Sequence, residues 1–93
     1  MTAPPDESSV PQFAAGVRLR FDAVRQAWVV LAPERLFLPD EPALAVLRLV
    51  DGERNLGAIV DLLAREYGAP REEIAGDVAA MLCDLAEKGA VRL

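Results

Sequence analysis

The stretch WVVLAPERLFLPDEPALAVLRLVDG, from Trp28 to Gly52, changes its hydrophobic period halfway along, and that change sets the fold class. Trp28, Val29, Val30 and Leu31 form a continuous apolar run of strand length, the pattern of a strand with both faces at least partly covered, and Pro33 ends it. Arg35, Leu36, Phe37 and Leu38 make another short strand, halted by Pro39. Proline cannot donate to a ladder, so this strand is expected at a sheet edge. Beyond Pro39 the spacing turns helical. Asp40 is placed as N-cap with Glu41 and Pro42 in the first turn, and Leu44, Leu47 and Val46 or Val50 supply a stripe that stops at Asp51-Gly52.

Working outward toward the N-terminus, Val17, Leu19 and Phe21 alternate with Arg18 and Arg20, the period of a half-buried strand, and Asp22 to Ala27 form a polar connection to Trp28. Residues 1–16, MTAPPDESSVPQFAAG, combine proline with small polar side chains and read as a flexible tail ahead of a domain over 17–93. Toward the C-terminus, Asn55 caps a second helix whose apolar positions Leu56, Ile59, Val60, Leu63 and Tyr67 run to Gly68. Pro70 opens a third helix with Ile74, Val78, Met81, Leu82 and Leu85 on one stripe, closing at Lys88-Gly89, after which Val91 and Leu93 extend briefly as a strand. The expected architecture is α+β: three short antiparallel strands followed by three helices, in a winged helix-turn-helix-like order.

Composition excludes more than it names. A chain of 93 residues, 53% hydrophobic, supports one compact domain. With no histidine and Cys83 as the only cysteine, it lacks the usual metal ligands, an internal disulfide and the commonest general base near neutral pH. No cofactor of its own is expected. No signal-peptide pattern and no apolar run of about 20 residues is present, so the expected location is cytoplasmic, with no membrane span. The net charge is −5, and between Pro70 and Lys88 five carboxylates face only Arg71 and Lys88, so the helix in the position of a DNA reader repels phosphate. Arg18, Arg20, Arg25 and Arg35 are the one basic cluster, read as a solvated outer sheet face. Catalysis has no nucleophile with a neighbouring base, and Cys83 falls opposite the core stripe on a helical wheel, the position of an inert surface or interface thiol.

Ala75, Ala79, Cys83 and Ala86 form a second stripe of small residues on the third helix. They fit close packing inside the domain equally as well as a shallow groove beside the third strand. In the latter reading an incoming peptide pairs with the sheet edge and lays alternate side chains against the third helix, with Asp77 and Asp84 at an acidic rim.

The residues LAPERLFLP (Leu31–Pro39), DGER (Asp51–Arg54), LLAREYG (Leu62–Gly68) and DVAAMLCDLAEKGAV (Asp77–Val91), in this order and spacing, resemble the PqqD family of peptide chaperones in pyrroloquinoline quinone biosynthesis. Through that family they resemble the recognition elements of ribosomally made, modified peptides. The resemblance implies a domain without catalysis that binds the precursor peptide PqqA and presents it to PqqE, the radical S-adenosylmethionine enzyme that crosslinks it. The iron-sulfur cluster would belong to that enzyme. It further implies backbone pairing at Arg35, Leu36, Phe37 and Leu38 and side-chain contacts at Asp77, Ala80, Met81 and Asp84. A general protein-interaction or regulatory winged-helix module is the alternative reading, and the exposed edge with Val10 and Phe13 leaves a homodimer open.

Overall fold

The computed structural model describes residues 6–93. Its centre is a hairpin of β2 (Arg18–Asp22) and β3 (Ala27–Leu31), antiparallel and in register from Arg18 opposite Leu31 to Asp22 opposite Ala27. The alternation in β2 puts Leu19 beside Val30 and Phe21 beside Trp28 on one face, while Arg18 and Arg20 stay exposed on the other. The Phe21 and Trp28 rings meet edge to face with centroids 5.6 Å apart, and the Arg48 guanidinium stands 5.0 Å over the Trp28 ring. Asp22 builds the turn: its Oδ1 accepts the backbone N–H groups of Val24 at 2.9 Å and Arg25 at 3.1 Å.

β4 (Leu36–Phe37) pairs antiparallel with β3, giving the order β2-β3-β4 and leaving β4 at the edge. It spans two of the four residues assigned from the sequence. Pro33 and Pro39 bracket the segment and limit how far a ladder can run.

The three helices follow in the expected order. α1 (Glu41–Leu47) starts where Asp40 Oδ1 accepts the Ala43 N–H at 2.9 Å. It ends earlier than its apolar stripe: Leu49 and Val50 donate three residues back, to Val46 and Leu47, so the last turn tightens before Asp51. α2 (Leu56–Tyr67) is capped by Asn55, which accepts the Ala58 N–H at 2.8 Å, and closed by Gly68 at φ +61°, a left-handed residue that a side chain would strain. α3 (Arg71–Glu87) runs from Pro70 to the turn at Lys88. Leu47 of α1, Ile59 and Val60 of α2, Leu82 of α3 and Val30 of β3 meet in a core where each is nearly or fully sealed from solvent. Each such side chain contributes about 1.5–3 kcal/mol of burial free energy. No helix among the described residues is long and apolar enough to cross a membrane.

The N-terminal segment departs from the expected flexible tail. Residues 1–5 lie outside the described residues, but residues 6–16 pack onto the domain. β1 (Gln12–Phe13) forms a two-stranded sheet with β5 (Val91–Arg92), with Gln12 opposite Arg92, and the Ala14 N–H donates to the Ala90 carbonyl at 3.1 Å. Pro11 is fully buried and Phe13 packs against the core. Upstream, the carbonyls of Ser9 and Glu7 accept the N–H groups of Leu56 at 2.7 Å and Gly57 at 2.9 Å, at the start of α2. Those are orphan donors of a helix N-terminus. Two apolar side chains and two helix-end hydrogen bonds anchor a stretch whose polar composition alone implied none.

Candidate functional site

The site grows from the free side of β4. The Ala32 N–H donates to the Arg35 carbonyl at 3.0 Å, so Ala32 and Arg35 are a hydrogen-bonded pair in register with the β3–β4 ladder, in which Leu31 faces Leu36 and Val30 faces Phe37. Hydrogen-bonded and non-bonded pairs alternate in an antiparallel ladder. Leu36 therefore turns its N–H and C=O away from β3, toward open solvent.

Beside this edge runs a groove of about 270 Å³ between β4 and α3. Its floor is Val30, Leu47 and Leu85, and its sides are Phe37 and Leu38 from the strand segment and Met81 from the helix. Leu38 is 65% exposed, a large apolar side chain left outside the core. Asp40, Asp84 and Lys88 carry the charge at its rim, and Lys88 Nζ lies 2.8 Å from Asp84 Oδ2 one turn back on α3. Arg35 closes one end: its Nη1 donates to the Lys88 carbonyl at 3.3 Å, at the negative end of α3, and its guanidinium sits 5.2 Å over the Phe37 ring.

The residues singled out from the sequence thus divide. Phe37, Leu38, Met81 and Asp84 line the groove, while Arg35 reaches the Lys88 carbonyl at its end and Leu36 lies on the adjoining strand edge. Asp77 does not reach it; it stands at the mouth of a second cavity between the three helices, which Met81 also lines. Ala80 is exposed and lines neither cavity. Sequence reasoning missed Lys88 and Asp40 at the rim. Lys88 was legible, since it follows Met81 and Asp84 at i+7 and i+4 on one helix face. Asp40 was read only as a cap, and it serves there too. Ala75, Ala79 and Ala86 pack against the core, so the small-residue stripe serves the domain's own packing, and Cys83 is half-buried rather than on the open surface.

Chemically, the groove combines a backbone edge free to hydrogen-bond, an apolar trough and a charged rim, equipment for holding an extended chain. Among the described residues, no group of three or more His, Cys, Asp or Glu side chains is placed to hold a metal ion.

Residues 27–91 match the family model for coenzyme PQQ synthesis protein D, PqqD. The PqqA binding protein of Rhodopseudomonas palustris (strain HaA2) is 53% identical over 83 residues, covering 89% of this chain and 81% of the relative. The bifunctional coenzyme PQQ synthesis protein C/D of Methylorubrum extorquens is 48% identical over 81 residues, 87% of this chain but 22% of that longer protein. Among solved structures, the solution NMR structure of the PqqD truncation of Methylobacterium extorquens PqqCD, described as a functional and stand-alone RiPP recognition element, superposes with a TM-score of 0.78 at 44% identity. That match covers 95% of this chain and 94% of the other.

Proposed function

This chain belongs to the PqqD family, and from that premise we propose that it is a non-catalytic carrier of the precursor peptide PqqA in pyrroloquinoline quinone biosynthesis. The peptide adds as a strand along β4 and lays its side chains into the groove against α3. The carrier then presents it to PqqE, the radical S-adenosylmethionine enzyme. The single observation that supports strand addition is the outward-facing backbone of Leu36 beside an apolar groove with a charged rim. Arg35, Leu36, Phe37 and Leu38 supply the edge, Met81 and Asp84 the facing helix, and Asp77 and Ala80 flank it.

The physical advantage is one of effective concentration. A peptide held on a carrier that also docks on the enzyme meets the active site as a tethered substrate rather than a free one. One short strand and one helix face make a contact at the small end of interface sizes, and a micromolar to high-nanomolar affinity that permits release is expected. The occurrence of a PqqD-like segment inside the longer C/D protein of Methylorubrum extorquens fits a module that works joined to an enzyme.

A two-dimensional amide NMR titration with the PqqA precursor, with a scrambled peptide as control and at two salt concentrations, tests the reading. Saturable shifts at residues 35–38 and on α3, with the native peptide alone and little changed by salt, are expected. Equal shifts with the scrambled peptide, or none, would overturn it.

A further inference from the structure

The cavity between the helices has no role in strand pairing, yet it shares Met81 with the β4 groove. It holds about 300 Å³, the lower end of the range of small-ligand pockets. Pro42 and Ala45 of α1, Leu63 and Tyr67 of α2, and Ile74 and Met81 of α3 form its apolar wall. Glu41 and Asp77, both exposed, are its charged residues, so its mouth is anionic and has no lining cation to neutralise it.

Two features say what enters it. Met81 lines both this cavity and the β4 groove, which makes them neighbouring compartments of one surface. α1 also begins only three residues past Leu38, so a strand paired with β4 needs a few more residues at about 3.3 Å each to reach the first turn of α1. The apolar wall takes a carbon side chain. The two exposed carboxylates favour a cation just outside it and disfavour an acidic segment.

Resting on the strand-addition reading above, we propose that this cavity is a specificity pocket of the peptide site. It receives one bulky apolar side chain, aliphatic or aromatic, carried next to a lysine or arginine that faces Glu41 and Asp77. The edge of β4 supplies sequence-independent backbone pairing, and the pocket supplies the choice of partner. A peptide with the same backbone but an acidic residue beside its apolar anchor is rejected at the rim.

The test is a calorimetric titration of the PqqA precursor into the wild-type protein and the variants Ala45→Phe, which fills the cavity, and Asp77→Lys, which reverses one rim charge at an exposed position. Both variants are expected to weaken binding, Ala45→Phe by tenfold or more and Asp77→Lys by severalfold. The Asp77→Lys loss disappears when the lysines and arginines of the peptide are replaced by glutamine. If the wild type binds and both variants bind equally well, the pocket has no part in recognition and only the strand-addition reading survives. If the variants change self-association by sedimentation and not peptide affinity, the cavity is a contact between copies of the chain and the proposal is overturned. If the wild type does not bind the precursor, strand addition and the pocket fall together. Circular dichroism shows whether Ala45→Phe folds, and Asp77→Lys decides the matter if it does not.

Discussion

Glu7 and Arg71 meet in a two-point ion pair: Nη1 of Arg71 donates to Oε2 at 2.9 Å and Nη2 to Oε1 at 2.5 Å, while Nε of the same arginine donates to Asp61 at 2.6 Å. One guanidinium thereby ties the N-terminal segment to α2 and to the start of α3. Its hydrogen bonds to Glu7 hold that carboxyl below the ordinary glutamate value and raise the arginine above its own. Because the folded-state pKa of Glu7 is depressed, the attachment is fully present above the ordinary glutamate range and is lost as pH falls through the lowered value. On acidification from neutral pH, the amide resonances of Leu56 and Gly57, which bond the Ser9 and Glu7 carbonyls, are expected to shift together as the segment lets go. In Arg71→Ala the pair is absent at every pH, so this pH-dependent shift is expected to disappear. All three side chains are solvent-exposed, so global stability changes little.

Gly57 makes this attachment possible by its lack of a side chain. A Cβ there would lie 3.0 Å from Glu7 Oε1 and 3.3 Å from Glu7 Cβ. Glu7 is held by Arg71 and cannot yield without loosening that pair. Gly57 is the second residue of α2, where alanine's helical advantage over glycine is smaller than the roughly 1 kcal/mol of a helix interior. Gly57→Ala is therefore expected to leave the melting temperature nearly unchanged while faster amide exchange at Leu56 and residue 57 reports a displaced N-terminal segment.

Leu36→Pro separates peptide binding from folding. The backbone N–H it removes faces away from β3, so no internal ladder bond is lost. A melting temperature within a few degrees of wild type is expected, with PqqA affinity reduced tenfold or more, about 1.4 kcal/mol. Full affinity in a folded Leu36→Pro protein would show that the peptide pairs elsewhere.

Leu82 is fully buried at the centre of α3, packed among the Leu47, Ile59 and Val30 side chains of the core. Leu82→Ala is expected to cost about 2–5 kcal/mol, from lost transfer free energy and the cavity left behind. Against the roughly 5–15 kcal/mol that holds a small domain folded, that is a large share, and urea denaturation measures it directly.

Asp84→Arg puts a cation where the rim of the groove holds an Asp84–Lys88 pair. Asp84 is exposed, so the fold should be unaffected. A fall in PqqA affinity is expected, because the variant removes the rim carboxylate and its pair with Lys88. Unchanged affinity in Asp84→Arg combined with Asp77→Arg would remove the acidic rim from recognition.

The elements with strong local chemistry were legible in the amino-acid order: the Asp40 and Asn55 caps, the Gly68 stop and the edge strand bounded by Pro39 all fall where side-chain type alone puts them. What escaped depended on partners far away in the chain. The segment from Asp6 to Ala14 is anchored by α2 and β5, and no periodicity within it announces either contact. The groove was half legible for the same reason. Phe37, Met81 and Asp84 share it because α3 folds back over β4, whereas Asp77, on the same helix, is carried past its end by the rise of two turns.

The β1–β5 ladder has a mechanical consequence. Gln12 lies opposite Arg92 and Phe13 opposite Val91, so the chain enters β1 and leaves β5 at the same end of the ribbon. Tension applied through both ends of the chain, once the grip of Glu7 and Ser9 on α2 has yielded, loads these strands in an unzipping direction, one pair at a time, rather than in shear. A pulling measurement should register the release of this ribbon at low force while the core of Leu47, Ile59 and Leu82 is still intact. The domain is closed by a clasp that opens from its ends inward.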